Sequence, residues 1–150
     1  FTPLQLANYV ATLVSGGDHY EAHLLKSAKS YDNSSVVYAY NKGPSNHVDM
    51  ADSTLEAVKS GARGLATGSL SYVFNSCIVP VGCKTGTAET GGELSNGCFV
   101  AFAPYDDPQI AVCVVIEQGG GGSNLAPIIN AYFSSASADT TISGENTLIQ

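Results

Sequence analysis

The first residues of the chain have the pattern of an amphipathic helix with a defined start. Thr2, followed three residues later by Gln5, forms a capping-box pattern, and Pro3 stands at the first helical position, where its missing N–H costs nothing. An apolar stripe at helical spacing follows, made of Leu6, Val10, Leu13 and Val14. Residues 16–17 are both glycine, and the sequence therefore predicts a helix that ends there.

The next fifty residues carry shorter and more mixed signals. Residues 19–25 and 36–40 are strand-like, and residues 31–35 between them have the composition of a turn. A second helix is predicted over residues 53–67, because Ser53 and a glutamate three residues later repeat the capping-box pattern. Its apolar face consists of Leu55, Val58, Ala62 and Leu65.

The second half of the chain is rich in β-formers. Three runs, residues 79–88, 98–103 and 110–117, read as strands. The last two are separated by residues 104–108, which contain two prolines and two aspartates, and this turn signal predicts an antiparallel hairpin. The third run is apolar almost without interruption, which favours a central strand covered on both faces.

The chain closes with a glycine run, an amphipathic segment and a polar end. Residues 119–122 are all glycine and predict a flexible connection, and residues 124–133 read as a closing helix. Residues 134–150 are rich in Ser and Thr and predict a loose tail. We therefore expect an α+β fold with an antiparallel sheet flanked by helices, formed by residues 1–133 as one domain.

Composition and charge narrow the class of protein. The chain has 150 residues, of which 44% are hydrophobic and 13% charged, so it can bury a core and is too apolar for a disordered protein. Its formal net charge of −7 argues against nucleic acid or an anionic membrane surface as partner. The sequence contains neither a long apolar run of membrane-spanning length nor a signal-peptide pattern.

Four cysteines lie in the second half of the chain. They are Cys77, Cys83, Cys98 and Cys113. Their spacing contains no C-x-x-C motif, and a domain of this size does not need a disulfide framework. Since each lies in or beside an apolar run, we predict small buried hydrophobic side chains.

Charge distribution makes Lys84 the strongest candidate for chemistry. After Arg63 it is the one basic residue among seven acidic residues: Glu89, Glu93, Asp106, Asp107, Glu117, Asp139 and Glu145. Strand alternation places Lys84 and Gly86 on one face and Thr85 and Thr87 on the other, and an edge strand can present the ammonium group and a hydroxyl along its rim. Gly86 would allow a ligand to approach closely. The segment predicts an anion-binding surface, with an ordinary strand ending in a turn as the alternative.

Three blocks of sequence resemble one enzyme family. Residues 81–89 resemble the Lys-Thr-Gly strand of the penicillin-recognising serine enzymes. Residues 1–7 resemble the helix that follows the family's second active-site motif, and residues 99–104 with 110–112 resemble the hairpin after the Lys-Thr-Gly strand. The blocks occur in family order. The chain is identified by this resemblance as the C-terminal part of the transpeptidase domain of a class B penicillin-binding protein.

The resemblance implies a peptidoglycan D,D-transpeptidase that crosslinks stem peptides and binds β-lactam antibiotics. Lys84, Thr85 and Thr87 would bind the terminal carboxylate of the stem peptide or of a β-lactam, with Gly86 beside them, and the Thr87 backbone N–H would be an oxyanion-hole donor. No cofactor or metal is implied. The implied location is the extracytoplasmic face of the bacterial plasma membrane, with the anchor outside this chain.

The chain departs from the family pattern at the nucleophile. No serine is followed three residues later by lysine, and no Ser-x-Asn motif is present. Tyr31, Asp32 and Asn33 imitate a Tyr-x-Asn variant but follow the helix that the motif should precede, so they read as a turn. A domain seldom starts inside a capping motif, and we therefore expect a truncated or cleaved chain whose missing motifs lie upstream of residue 1.

Two consequences follow from that expectation. The chain alone should be inactive, because the nucleophile lies in the missing half of the active site. It should also fold properly only with the missing N-terminal half of the same domain, or survive as a marginal fragment, because in the family fold the strand at residues 110–117 pairs with an N-terminal strand and would otherwise be an exposed, aggregation-prone edge. The alternative function is a non-catalytic domain that senses β-lactams or serves a structural role.

Two other motifs carry weaker hypotheses. His19 and His23, four residues apart with Glu21 between them, suggest a zinc site, although the order differs from H-E-x-x-H and no third ligand is evident. The glycines at 119–122 before a helix could cradle a phosphate. We favour solvated side chains for the first and a flexible connection for the second.

Overall fold

A computed structural model describes residues 1–91 and 93–138 of the chain. The helices are α1 (Pro3–Val14), α2 (Asp52–Thr67), α3 (Ser71–Phe74) and α4 (Ala126–Ala138), with a 3-10 turn at Gly122–Leu125. The strands are β1 (Asp18–His19), β2 (Ser27–Lys29), β3 (Val36–Ala39), β4 (Asn46–His47), β5 (Gly82–Ala88), β6 (Asn96–Ala103) and β7 (Ile110–Ile116). None of the helices in these ranges is both long and apolar enough to cross a bilayer.

Helix α1 begins where the sequence predicts. Thr2 is the N-cap, its hydroxyl accepts the Gln5 N–H at 3.2 Å, and the Gln5 side chain accepts the Thr2 N–H at 2.8 Å. Two of the N–H groups that a helix start leaves unpaired are thereby satisfied. Past the C-cap Ser15, Gly16 and Gly17 adopt positive φ angles of 79° and 103°, which glycine alone takes without strain, and the helix ends.

Helix α2 confirms the second predicted helix but not its cap. The N-cap is Ala51, and it makes no side-chain capping hydrogen bond. The capping-box interpretation of Ser53 was therefore wrong, because the helix starts one residue earlier and Ser53 lies inside the first turn. Asp52 in that turn complements the positive end of the helix dipole.

Three antiparallel strands form the main sheet, in the order β5–β6–β7. Cys83 pairs with Ala101 and Ala101 with Val112, so these three side chains share one face. The hairpin predicted between β6 and β7 is confirmed, and its turn is closed by a hydrogen bond from the Gln109 N–H to the Ala103 carbonyl oxygen at 3.0 Å. The expected α+β architecture is present.

Strand β7 differs from the prediction of a central strand covered on both faces. It lies at one edge of the sheet, and β6 is the central strand. Val115 and Ile116 at its end are each 38% exposed. The position at the edge agrees with the other expectation for this strand, that the N-terminal strand with which it pairs in the family fold is missing.

The core lies between one face of the sheet and the C-terminal helix, and the end of α2 and helix α3 also contribute buried side chains to it. Its largest fully buried side chains are Phe99, Phe133, Leu125, Ile129, Val81 and Cys83. Helices α1 and α2 lie on the opposite face, α1 against β6 and β7 and α2 against β5. The closing helix was thus predicted correctly, although it continues to Ala138; the first five residues of the predicted tail are helical, and residues 139–150 lie outside the described part.

The segment between α1 and α2 forms two small antiparallel sheets. Strands β1 and β4 pair with each other, and β2 pairs with β3 around the predicted turn at residues 31–35. The predicted strand at residues 19–25 is wrong beyond His19, because β1 ends there. All four residues of β3 are exposed, so this hairpin projects from the body of the domain.

The four cysteines are free. Cys83 is buried in the core, which confirms the prediction for that residue. Cys77, Cys98 and Cys113 are only partly buried. The thiols therefore serve mainly as small packing groups, and the fold stands without a disulfide among them.

Candidate functional site

Strand β5 is an edge strand of the main sheet, and it carries Lys84, Thr85, Gly86 and Thr87 in sequence. Its other edge pairs with β6, with Lys84 opposite Val100. An edge strand presents one row of backbone N–H and C=O groups that no neighbouring strand uses. The sheet therefore offers main-chain donors and side chains of this segment along the same open rim.

Lys84 lies on the sheet face that α1 and α2 cover. Its side chain is exposed, and its ammonium group donates a hydrogen bond to the Thr85 carbonyl oxygen at 2.5 Å. The ion pairs found in residues 1–91 and 93–138 do not include Lys84. Among the residues that the structure describes, the positive charge therefore lies at the rim without a carboxylate partner.

An apolar cavity of about 460 Å³ separates α1 and α2 above the sheet, and Lys84 lines it. The apolar lining includes Tyr9, Val10, Leu13, Leu55, Val58 and Phe102. Lys59 is the other lysine of the lining, and it pairs with Glu56 at 3.5 Å. The ammonium group of Lys84 thus borders a concave, largely apolar space, which is the usual setting of a small-molecule site.

Gly86 leaves open space on the Lys84 face. A Cβ atom added at Gly86 would lie 3.5 Å from the Cys98 Cβ atom and 3.8 Å from the Cys98 carbonyl oxygen, which are ordinary contacts. Packing within the described part of the chain therefore does not require a glycine here. A glycine at such a place in a strand suits the close approach of a ligand.

Thr85 and Thr87 point to the opposite face, as alternation predicts. Thr85 is half-buried, and Thr87 is exposed. The Thr87 hydroxyl oxygen accepts the backbone N–H of Gly122 at 3.1 Å. The predicted anion-binding residues thus lie together on one strand, with the ammonium group on one face and the two hydroxyls on the other.

Cys83, directly before Lys84, is not a reactive thiol. Its side chain is only 2% exposed, and burial raises its pKa from 9.0 to about 12, although Arg63 and Lys84 oppose the shift. The thiolate is the nucleophilic form of cysteine. Cys83 is therefore protonated near neutral pH and belongs to the packing of the sheet.

The histidines suggested as zinc ligands are engaged separately. His19 Nε2 lies 3.1 Å from the Asn8 side-chain nitrogen, and His19 Nδ1 lies 2.9 Å from the Ser45 hydroxyl. His23 stacks on the Tyr40 ring with a centroid distance of 3.5 Å. No cluster of three or more metal-ligating side chains occurs among the residues that the structure describes, so the arrangement does not support a zinc site.

Neither of the other two minor motifs has the geometry of a site. Asp32 accepts hydrogen bonds from the Ser30 and Ser34 hydroxyls at 2.6 and 2.8 Å, which confirms the interpretation of residues 31–35 as a turn. The glycine run was predicted to be a flexible connection, but Gly122 is buried and its N–H is bound to Thr87. Because this N–H already donates to Thr87, it is not available to bind a phosphate.

Sequence reasoning missed two contacts that position β5. One is the Gly122–Thr87 hydrogen bond, and the other joins Arg63 Nη1 to the Val81 carbonyl oxygen at 3.0 Å. The only signal for the first was the glycine run itself. The second had none, because a buried carbonyl group carries no mark in the sequence.

Comparison with known proteins identifies the family. The profile of the penicillin binding protein transpeptidase domain matches residues 1–134. Penicillin-binding protein 2A of Bacillus subtilis is 34% identical over 131 residues, which cover 77% of this chain and 18% of that protein. The peptidoglycan D,D-transpeptidase MrdA of Haemophilus influenzae is 32% identical over 149 residues, covering 85% and 22% of the two chains.

Solved structures agree in fold. Penicillin-binding protein 2B of Streptococcus pneumoniae superposes with a TM-score of 0.80 at 26% identity, covering 97% of this chain and 26% of that one. An imipenem acyl-enzyme complex of penicillin-binding protein A of Mycobacterium tuberculosis superposes with a TM-score of 0.79 at 26% identity, covering 91% and 31%.

The matched segments span most of this chain but about a fifth of the two curated relatives. The family profile, by contrast, covers nearly all of the residues that the structure describes. With the Lys-Thr-Gly strand at the rim of the sheet and the fold shared with solved relatives, the chain belongs to the transpeptidase domain family of the class B penicillin-binding proteins.

Proposed function

We propose that this chain supplies the carboxylate-binding half of a D,D-transpeptidase active site that crosslinks peptidoglycan stem peptides. The observation that carries the proposal is the position of Lys84. Lys84 belongs to an edge strand of the sheet, and it lines an apolar cavity. The ion pairs of residues 1–91 and 93–138 include no carboxylate partner for its ammonium group. An uncompensated cation at such a rim attracts the negative end of a ligand.

The neighbouring residues have roles that fit the same ligand. Lys84, Thr85 and Thr87 bind the terminal carboxylate of a stem peptide, or the equivalent carboxylate of a β-lactam. Gly86 lets the ligand lie against the strand, which its open surroundings support. The backbone N–H of Thr87 is one donor of the oxyanion hole. The unpaired edge of β5 supports this role, because backbone groups on that edge are not used by a neighbouring strand.

We call the longer protein that contains this sequence the parent protein. The nucleophile comes from a part of the parent protein outside these residues. The chain has no Ser-x-x-Lys motif, and Cys83 is no substitute because burial raises its pKa to about 12. Relatives at least four times as long as the matched segment support a separate location for the motif. The chain by itself is therefore inactive, and its partner is the other half of the same domain.

Binding of β-lactam antibiotics belongs to the same proposal. The solved relative from Mycobacterium tuberculosis forms an acyl-enzyme with imipenem. A β-lactam presents a carboxylate next to the carbonyl group that is attacked, so the set of groups that holds a stem peptide also holds the drug. The substrate lies in the cell wall, and the parent protein accordingly works on the extracytoplasmic face of the plasma membrane.

The experiment is acylation of the parent protein by a fluorescent penicillin, compared between wild type and Lys84→Gln. We expect the second-order rate constant to fall about 10- to 100-fold, because a hydrogen bond to a charged group contributes about 1.5–3 kcal/mol. The matched control is Lys29→Gln, which removes an exposed lysine from the projecting hairpin. It should label at the wild-type rate.

A second function is distinguished by the same assay. A non-catalytic domain that senses β-lactams or has a structural role would share the Lys-Thr-Gly strand, and the absence of a nucleophile motif from these 150 residues is compatible with it. A parent protein that binds penicillin without forming a covalent adduct supports this sensing role. Covalent labelling that is unchanged in Lys84→Gln contradicts the role proposed for that lysine.

A further inference from the structure

We propose that Gly122 is a positioning residue for Thr87. Its backbone N–H holds the Thr87 side chain in one orientation, so that the single hydroxyl proton is available to a carboxylate ligand. The inference rests on the proposed function, because it takes Thr87 as one of the groups that bind the carboxylate. It goes further by assigning a task to the glycine run between β7 and α4.

The first observation is the hydrogen bond itself. Gly122 N–H donates to Thr87 Oγ1 at 3.1 Å, between residues 35 positions apart in the chain. A threonine hydroxyl has one proton to donate and two lone pairs to accept with. Within the part of the chain that the structure describes, the Thr87 hydroxyl takes part in no other protein hydrogen bond. Because Thr87 is exposed, its proton is free for a ligand.

The second observation is the packing around Gly122. A Cβ atom at this position would overlap the Gly86 carbonyl oxygen, and it would lie 2.5 Å from the Cys98 carbonyl oxygen and 2.9 Å from the Gly86 nitrogen. Residue 122 must therefore be glycine for the loop to lie directly on the backbones of β5 and β6. Gly122 thus also packs against the backbone of Gly86, which the proposed function places beside the ligand.

The third observation is that the loop is fixed on both sides of Gly122. Before it, the Gly120 N–H donates to the Ser95 carbonyl oxygen at 2.9 Å, and the Gln118 N–H donates to Asn96 Oδ1 at 2.9 Å. After it, Leu125 is 1% exposed and belongs to the core. The donor is consequently held in place by β6 and by the core, and it does not depend on a ligand for its position.

These contacts give the bond a function in binding. A hydroxyl on an exposed strand residue otherwise samples several χ1 rotamers, and binding a ligand would have to select one of them. The bond from Gly122 fixes that choice before the ligand arrives. Removing the N–H should therefore weaken interactions with a carboxylate and leave interactions with an uncharged ligand unchanged.

The test replaces Gly122 by glycolic acid in the parent protein, which exchanges the amide for an ester. The N–H is lost, and no Cβ atom is added. The probes are benzylpenicillin and its methyl ester, which lacks the free carboxylate. We expect the acylation rate constant to fall about 3- to 10-fold for benzylpenicillin, the range that corresponds to one hydrogen bond, and to stay unchanged for the methyl ester.

Three matched variants accompany it. The same ester replacement at Gly119 removes an N–H that donates to the Ile116 carbonyl oxygen at 3.2 Å, in the same loop but away from Thr87. It should leave both rate constants unchanged. Thr87→Val should reproduce the loss with benzylpenicillin, and Thr87→Ser should retain most of the wild-type rate.

The outcomes separate this inference from the proposed function. A loss in Thr87→Val without a loss in the Gly122 ester overturns the positioning role and leaves the carboxylate role of Thr87 intact. No loss in either variant overturns the role of Thr87. An equal loss for both penicillins in the Gly122 ester overturns the inference as well, because the bond would then only stabilise the loop.

If the ester protein does not fold, hydrogen exchange decides the question. The Gly122 amide should be protected in wild type and in Thr87→Ser and should exchange faster in Thr87→Val. Retention of the benzylpenicillin rate in Thr87→Ser without protection of this amide overturns the inference. Retention of both the benzylpenicillin rate and the amide protection in Thr87→Ser supports the inference.

Discussion

Arg63 on α2 donates a hydrogen bond from Nη1 to the carbonyl oxygen of Val81 at 3.0 Å. Val81 is 1% exposed and lies directly before β5, the strand that carries Lys84. The same guanidinium group lies over the Tyr105 ring, 5.8 Å from its centroid. Arg63 therefore links α2 to the beginning of the site strand and to the turn that follows β6.

Replacing Arg63 should destabilise the domain. In Arg63→Met the buried Val81 carbonyl group loses its side-chain donor, and an unsatisfied buried acceptor costs about 1–3 kcal/mol. The measurement is the free energy of unfolding in urea. Lys42→Met is the control, since it removes a solvent-exposed ion pair with Glu21 at 3.2 Å that water screens and that should contribute much less to stability. Equal losses in the two variants would contradict the anchoring role.

Two glycines of β5 should respond oppositely to alanine. Gly86→Ala adds a Cβ atom that makes only ordinary contacts, so stability should be retained or rise by about 0.4–1 kcal/mol, while penicillin acylation of the parent protein falls. Gly82→Ala places a Cβ atom within the Phe102 ring and should cost about 1–3 kcal/mol. Thermal unfolding and acylation rates are measured on both variants. Unchanged acylation in Gly86→Ala would remove the reason proposed for that glycine.

Local signals in the sequence predicted those parts of the fold that neighbouring residues determine. The capping box of Thr2 and Gln5 is present, because both groups lie within one turn of the helix. Ser53 had the same pattern and failed, since the chain enters α2 at Ala51 instead. The run at 110–116 predicted a strand, but hydrophobicity alone does not record how many strands lie beside it; the edge position was expected only from the resemblance to the family fold.

The candidate site was predicted in part for a similar reason. Lys84 stands out in the sequence because it is the last basic residue of the chain. Its neighbours in space are set by tertiary packing, which brings Gly122 to Thr87 across 35 residues. A glycine run indicates chain freedom when it is seen alone, whereas here Gly122 is required by close contact with two strands.

The buried thiol of Cys83 should make stability depend on alkaline pH. Burial raises its pKa from 9.0 to about 12 in the folded state. Above pH 9 the unfolded thiol loses its proton while the folded one retains it, so the stabilisation present below pH 9 is lost as pH rises towards 12. The slope contributed by this group approaches about 1.4 kcal/mol per pH unit.

The measurement for Cys83 compares free energies of unfolding at pH 8 to 11 between wild type and Cys83→Ala. The substitution lowers stability at every pH by creating a small cavity, but the difference between the proteins should shrink as pH rises. The difference removes the contributions of tyrosines and lysines, which titrate in both proteins. A constant difference across the range would show that the folded thiol ionises like the unfolded one.

The turn that joins β2 and β3 should have an acid-resistant carboxylate. The pKa of Asp32 is lowered from 3.8 to about 2, first by the Ser30 hydroxyl and then by Ser34, which donates from both its hydroxyl and its backbone N–H. The contribution of these bonds is complete above pH 3.8 and is lost as pH falls through 2. The carboxyl carbon of Asp32, followed by NMR, should titrate near that lower value.

Removing the two hydroxyls in turn tests the cause of the Asp32 shift. Ser30→Ala should raise the pKa of Asp32 towards 3.8 by more than Ser34→Ala does, since the Ser30 bond is the larger cause and Ser34 retains its backbone donor. Because short hydrogen bonds, and not distant charges, lower the pKa of Asp32, salt should have little effect on the shift. If 0.5 M salt abolished the shift in wild type, long-range charge would be its source, and the serines would only shape the turn.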